Sequence, residues 1–194
     1  HSTSRRQRQM CIRDSINMVI KLLKLVNYRS YKEKIFNFSD KLNILVGKNA
    51  QGKTNVLEAI FYAVIGRSFK TSKEKEVIKW GQEKAYVCGE FQKKFREEKI
   101  ELFFDKNKKK SIKVDDISLH KIGELLGTTN AVFFSPDELK LVKESPEERR
   151  RFINIDISQT NKRYFYMIGR YEKVLANRNK LLKSTTDLSV IRDT

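Results

Sequence analysis

Residues 42–64 read LNILVGKNAQGKTNVLEAIFYAV and decide the fold. Residues 42–46 form a short apolar run in which Ile44 and Val46 are β-branched, a composition typical of a buried strand. Residues 47–54, GKNAQGKT, match the phosphate-loop pattern G-x-x-x-x-G-K-[ST]. Apolar residues then recur at helical spacing, at Val56, Leu57, Ile60, Phe61 and Val64. Strand, loop and helix therefore come in the order of a nucleotide-binding phosphate loop.

The loop residues have separate roles in holding a phosphate group. Gly47 and Gly52 allow a close backbone approach that a Cβ would prevent, and the loop N–H groups can then surround an anion. The start of the following helix adds unpaired N–H groups and the positive end of its dipole. We predict that Lys53 reaches the β- and γ-phosphates and that the Thr54 hydroxyl binds Mg²⁺. These letters alone do not choose among kinases, GTPases, transporters and DNA-handling ATPases.

Composition narrows the class of partner. The chain has 194 residues, enough for one well-packed domain, and a net charge of +17. That charge favours a nucleic-acid partner over an acidic membrane surface. No apolar run approaches the length of a membrane span. Cys11, Cys88, His1 and His120 lack ligand spacing, so neither a structural metal site nor a disulfide framework is expected, and a reducing cytosol fits.

Strand-like composition at 19–26 and alternating patterns further along predict several strands around this loop. Residues 19–26 and 32–38 are expected to form a hairpin before the loop, and residues 85–95, 99–104 and 111–114 further strands. The turn at 105–110 is rich in lysine and has the composition of a phosphate contact or of a solvated hairpin tip. A short helix over 119–126 and a buried strand over 131–134 follow.

Helical patterns dominate the last part of the chain. Two Ser-Pro helix starts are expected at Ser135 and Ser145. A long helix is predicted beyond Gln159, with an apolar seam at Tyr164, Ile168, Tyr171, Leu175 and Leu182. Residues 1–17 and 185–194 lack these patterns, and we expect both to be extensions foreign to the domain, with Met18 as the natural start.

Four segments together resemble a known family. They are NYRSY (27–31), LVGKNAQGKTNVLEAI (45–60), GRSFKT (66–71) and FFSPDELKLVKESPEERRRFIN (133–154). Their order is similar to the amino-terminal half of the RecF family, bacterial DNA-repair ATPases built like the heads of SMC and ABC proteins. Ala50 stands where the family commonly has Gly, and Asn154 stands where it usually has Asp.

The resemblance implies a fold and a domain division. The fold would be an α/β P-loop NTPase of the ABC/SMC head type, with a mixed sheet around the phosphate-loop helix. Residues 18–145 would form an incomplete ATP-binding lobe, and residues 146–184 would begin a helical second lobe. The chain would therefore be a truncated head.

The resemblance also implies ligands and partners. ATP and Mg²⁺ would bind the phosphate loop, at Gly47, Lys48, Asn49, Ala50, Gln51, Gly52, Lys53 and Thr54. Arg29 and Arg67 would be further phosphate contacts, by their positions in NYRSY and GRSF. The partners would be DNA (single-stranded, or gapped and double-stranded), recombination mediator proteins and, in the full-length parent, a second copy in an ATP-dependent homodimer. The location would be the bacterial cytoplasm, at the nucleoid. The roles would be gap repair, maintenance of replication forks and the SOS response.

Hydrolysis is not expected of this chain. In the family, the L-S-x-G-Q signature and a second acidic motif lie further along, and neither occurs here, since residues 188–190 do not continue into a signature. ATP hydrolysis needs acidic groups that hold Mg²⁺ and position the attacking water, so we expect at most weak nucleotide binding by this chain, without turnover. The resemblance implies that the full-length parent is a weak DNA-dependent ATPase. Two alternatives stay open: a P-loop phosphotransferase acting on a small molecule, and a non-catalytic interaction module.

Overall fold

The computed structural model describes residues 18–71, 73–134 and 146–184. The chain divides into two compact units after Phe134. The first unit contains a β-sheet and the phosphate-loop helix, and the second contains two long helices.

Six strands form the sheet of the first unit. They are β1 (Val19–Tyr28), β2 (Tyr31–Asn37), β3 (Lys84–Gln92), β4 (Glu97–Asp105), β5 (Ser111–Val114) and β6 (Ile117–Leu119). Their order is β2-β1-β3-β4-β5-β6, and every neighbouring pair is antiparallel. The predicted hairpin before the loop and the predicted strands at 85–95, 99–104 and 111–114 are thus confirmed, and the first of these three ends earlier, at Gln92. In the part of the chain that the structure describes, the sheet is antiparallel throughout rather than mixed.

The phosphate-loop helix packs on one face of this sheet. Helix α1 spans Lys53–Ile65, ends at the left-handed Gly66 and buries Val56, Ala59 and Ala63. Leu23 and Leu25 of β1, Val87 of β3, and Ile100 and Leu102 of β4 are completely buried. Each of these apolar side chains contributes roughly 1.5–3 kcal/mol through burial. The core therefore fixes the helix, and with it the phosphate loop, against the centre of the sheet.

The predicted buried strand at residues 42–46 is wrong for the described structure. The run forms no strand, and Leu42, Ile44 and Val46 are 76%, 74% and 88% exposed. A local turn includes the start of the run: Ser39 N–H donates to the Asn43 side-chain oxygen at 2.8 Å, and the Asn43 amide donates to the Ser39 carbonyl at 2.9 Å. A strand is stabilised by cross-strand partners, and no described strand pairs with this run.

The segment after β6 also differs from expectation. Residues 117–119 form a strand, and the short helix α2 covers only Ile122–Leu125, inside the predicted 119–126. The predicted strand at 131–134 is absent, and Val132 and Phe134 are 87% and 75% exposed. Phe133 instead stacks on Phe69, with ring centroids 3.9 Å apart. A side-chain contact, rather than strand pairing, therefore holds this segment.

The second unit consists of two consecutive helices. Helix α3 spans Pro146–Thr160 and begins with the expected proline, and α4 spans Lys162–Ser184. Tyr164 Oη donates to Asn154 Oδ1 at 2.6 Å and ties the two together. The predicted seam of α4 is half-buried at Tyr164 and Ile168 and exposed from Tyr171 onward. The expected cap at Ser145 and the helix start at Ser135 lie outside the described residues. None of the described helices is both long and apolar enough to cross a membrane.

Candidate nucleotide-binding site

Gly52 fixes the junction between the phosphate loop and α1. Its φ is 98°, and a Cβ there would lie 2.7 Å from Ser30 Oγ and 2.9 Å from Tyr31 Oη. Both the backbone conformation and the close approach of the β1–β2 turn therefore require glycine. Gly52 is also the N-cap of α1, and no side chain of the described residues caps the helix. The start of the helix is thus available to an anion.

Lys53 lies across the loop that precedes it. Its ammonium donates to the carbonyl oxygens of Gly47 at 2.6 Å and Lys48 at 2.7 Å. The Gln51 side-chain oxygen accepts a bond from Lys48 N–H at 3.2 Å. These contacts close residues 47–51 into a compact exposed turn with a positive charge over it. The Lys53 ammonium is thus held against the loop by two of its carbonyl oxygens.

The remaining loop residues face solvent. Lys48, Asn49, Ala50, Gln51 and Thr54 are exposed. Ala50 has a φ of 64°, a left-handed conformation that costs a residue with a Cβ about 1–2 kcal/mol. Thr54 follows Lys53 in the first turn of α1. The structure therefore gathers all eight predicted loop residues at the start of one helix.

Arg29 is held by a buried carboxylate of α1. Its Nε and Nη2 donate to the two oxygens of Glu58 at 3.0 Å and 2.7 Å, and its Nη1 donates to the Glu76 carbonyl at 2.8 Å. Glu58 is completely buried. Arg29 itself has a φ of 50°, so the ion pair holds a strained turn between β1 and β2. This bidentate pair fixes the β1–β2 turn against the phosphate-loop helix.

A second set of contacts joins the segment after α1 to the same carboxylate. Ser68 Oγ donates to Glu58 at 2.5 Å and accepts bonds from the backbone N–H groups of Lys70 and Thr71 at 2.9 Å and 3.2 Å. Lys70 Nζ donates to the Asn55 side-chain oxygen at 2.9 Å. Burial lowers the pKa of the Lys70 ammonium, which the nearby Glu58 charge opposes. Glu58 thus joins two segments, the β1–β2 turn and the segment after α1, to the phosphate-loop helix.

The predicted arginines differ in their surroundings. Arg67 is exposed in the GRSF segment, whereas Arg29 is largely enclosed by Glu58 and the backbone of Glu76. Glu58 itself was missed as a site residue, because it stands among apolar residues of a predicted helix. The available signal was its spacing: Glu58, Tyr62 and Ile65 fall on one helical stripe, and all three are buried.

Comparison with known proteins identifies the family. The chain matches the family model described as AAA domain over residues 22–193. It is 47% identical over 170 residues to the DNA replication and repair protein RecF of Clostridium tetani (strain Massachusetts / E88). That alignment covers 88% of this chain and 46% of the relative. The chain belongs to the RecF family. It spans about half the length of the curated RecF relatives that it matches.

Solved structures support the RecF assignment and the fold. The structure of the recombination mediator protein RecF-ATPrS in the RecFOR pathway aligns with a TM-score of 0.82 and 40% identity, covering 88% of this chain and 46% of that chain. A structure of SMC ATPases aligns with a TM-score of 0.58 and 24% identity, covering 70% of this chain and 98% of that one, and supports the fold alone. The α/β P-loop fold of the ABC/SMC head type is thereby confirmed.

Proposed function

We propose that residues 47–54 bind the triphosphate of ATP. The observation that carries this proposal is the Lys53 ammonium, which lies over the loop on the Gly47 and Lys48 carbonyls at the uncapped start of α1. In the proposal Lys53 contacts the β- and γ-phosphates, and the Thr54 hydroxyl binds Mg²⁺. The aligned RecF structures named with ATP and ATPrS, 38% and 40% identical to this chain, support ATP as the nucleotide.

Arg67 and Arg29 enter the proposal differently. Arg67 is exposed and free to turn towards a phosphate. Arg29 donates two of its five N–H groups to Glu58 and one to the Glu76 carbonyl, so a phosphate contact is open to it through the second N–H groups of Nη1 and Nη2. Its main role in the proposal is to position the β1–β2 turn, whose Ser30 and Tyr31 pack against Gly52.

The wider proposal is a DNA replication and repair protein of the RecF type. Its support is the name of the matched relatives together with a net charge of +17, which suits a polyanionic partner. The proposed roles are gap repair, maintenance of replication forks and the SOS response. The proposed partners are single-stranded or gapped and double-stranded DNA, recombination mediator proteins and a second copy bound through ATP.

Hydrolysis is not part of the proposal for this chain. Among the residues that the structure describes, Glu58 and Glu76 contact the segments around the loop, and both carboxylates are engaged. Glu58 accepts bonds from Arg29 and Ser68, and Glu76 accepts a bond from Thr71 Oγ1 at 2.6 Å. Since hydrolysis needs acidic groups that are free to bind Mg²⁺ and position water, we propose nucleotide binding without turnover.

Equilibrium binding of a fluorescent ATP analogue tests the nucleotide site. Lys53→Ala is expected to weaken binding about ten- to hundred-fold, because a charge-assisted hydrogen bond is worth roughly 1.5–3 kcal/mol. Lys41→Ala, the loss of an exposed lysine outside the loop, is the matched control and should leave affinity within about twofold. Equal affinity in wild type and Lys53→Ala would mean that the loop is only a scaffold, as in an interaction module.

The DNA part of the proposal has a separate test. Binding of labelled DNA is measured over a range of salt concentrations, and affinity should fall linearly on a double logarithmic plot as counterions are displaced. A response that does not depend on salt would remove the electrostatic support for a DNA partner.

A further inference from the structure

One end of the sheet combines lysines with accessible aromatic rings. The register pairs Lys84 with Asp105 and Tyr86 with Phe103, so the start of β3 and the lysine-rich β4–β5 turn lie at the same end. A groove of about 470 Å³ opens there. Its lining includes Lys84, Lys108, Lys109 and Lys113 together with the rings of Tyr86 and Phe103.

The groove is positively charged. Among the described residues that line it, one is acidic, Asp105, against four lysines, and Asp105 Oδ2 lies 3.8 Å from Lys84 Nζ. Lys108 and Lys109 stand at the tip of the β4–β5 turn, where Lys109 is exposed. Such a cluster is complementary to a chain of phosphates.

The rings in the groove are fixed in place. Tyr86 and Phe103 lie with centroids 4.9 Å apart and planes inclined at 46°. Tyr86 Oη donates to the buried Glu101 at 2.5 Å, and Lys113 Nζ lies 5.6 Å from the centre of the Phe103 ring. Rings that are held by such contacts lose little conformational freedom when a flat partner stacks on them.

Trp80 stands at the same end of the sheet with no apolar covering. It is 98% exposed and is the only tryptophan in the sequence. It lies in a tight turn, closed by Gln82 N–H donating to the Lys79 carbonyl at 3.0 Å, in which Gly81 has a φ of 78°. Lys79 N–H donates at 2.7 Å to the carbonyl of Asn27, a residue of the groove lining. The turn that carries the exposed Trp80 therefore adjoins the groove lining through Asn27.

We propose that this end of the sheet, from Trp80 to the lysines of the β4–β5 turn, is a binding site for single-stranded nucleic acid. Lysines alone would suit any phosphate backbone, but stacking on exposed rings requires bases that are not paired in a duplex. Lys108, Lys109 and Lys113 contact the phosphates, and Trp80 stacks on a base. The inference rests on the proposed DNA-binding function and gives it a site separate from residues 47–54.

Intrinsic fluorescence and anisotropy test the site directly. A short labelled oligo-dT strand is titrated into the full chain, and stacking should quench the emission of Trp80. Trp80→Ala should weaken binding of the strand about five- to hundred-fold and change binding of a blunt duplex by less than about twofold. The double variant Lys108→Ala/Lys109→Ala should weaken binding of both and lower the salt slope by roughly one to two.

The opposite end of the sheet supplies matched controls. Phe95 is 82% exposed in the β3–β4 turn, with Lys94 Nζ 4.9 Å from the centre of its ring. Phe95→Ala and Lys94→Ala should leave binding of the strand unchanged. If the wild type binds the strand without quenching, and Trp80→Ala behaves like Phe95→Ala, the proposed site is wrong while DNA binding stands. Equal loss of duplex and strand binding in Trp80→Ala would overturn the single-strand assignment. If the wild type binds neither, the proposed function fails as well.

Discussion

Replacing Glu58 by glutamine is expected to destabilise the first unit strongly. The carboxylate is completely buried and accepts bonds from Arg29 Nε, Arg29 Nη2 and Ser68 Oγ. Glutamine keeps one accepting oxygen but directs an NH₂ group at a donor, so at least one bond to Arg29 is lost. It also leaves the Arg29 charge without its counter-charge. Removing one partner of a buried pair costs roughly 3–5 kcal/mol, and because Arg29 is partly exposed we expect the lower end, about 3 kcal/mol.

Urea and thermal unfolding measure this loss. A loss of about 3 kcal/mol corresponds to a fall in Tm of roughly 6–12 °C for a chain of this size. The matched control is Glu33→Gln, because Glu33 and Lys24 form an exposed pair, 3.5 Å apart, worth under about 1 kcal/mol. Should Glu58→Gln cost no more than Glu33→Gln, Glu58 does not hold the segments around the phosphate loop together. A double-mutant cycle that combines Glu58→Gln with Arg29→Ala measures the interaction energy between Glu58 and Arg29.

Three further predictions concern the loop, the core and the exposed apolar run. Ala50→Gly should raise the free energy of unfolding by about 0.5–1 kcal/mol, measured by urea unfolding. Glycine removes the cost of the left-handed conformation, and the greater entropy of its unfolded state offsets part of that gain. A loss of stability would contradict the left-handed conformation of Ala50. In a Cys11→Ser background, Cys88 should react with a thiol reagent only as fast as the protein unfolds. Its thiol is buried, and burial also raises its pKa, so the reactive thiolate is scarce in the native state. Rapid labelling of the native chain would refute the burial of Cys88. Ile44→Thr together with Val46→Thr should change the free energy of unfolding by less than about 0.5 kcal/mol for each substitution, because both side chains are exposed, and a larger loss would show that the run is packed.

The sequence was sufficient for the elements whose stability is local or follows a regular period. β1 has a strand-like composition, β2, β3 and β4 show alternation, and helix α1 shows helical spacing, while the loop that precedes Lys53 follows a fixed pattern. The hydrogen bonds from Lys53 to the Gly47 and Lys48 carbonyls are local as well, because they join residues that are close in the chain.

The failures involve partners that a pattern does not contain. Residues 42–46 have the composition of a buried strand, yet burial depends on a neighbouring strand, and among the described residues none pairs with them. Glu58 was missed as a site residue, because its partners Arg29 and Ser68 lie 29 residues before and 10 residues after it in the chain. A buried acid requires a cation, but spacing alone does not say which one.

The central claim is that ATP binds at residues 47–54, and amide NMR spectra of the isotopically labelled chain test it most directly. On titration with ATP and Mg²⁺, the largest shifts should fall on the amides of Gly52, Lys53 and Thr54, since these form the end of the loop and the start of α1. The amide of Phe95, in the turn at the other end of the sheet, should stay in place. If the loop amides do not move at high nucleotide concentration, or if the shifts centre elsewhere, the site is not the phosphate loop.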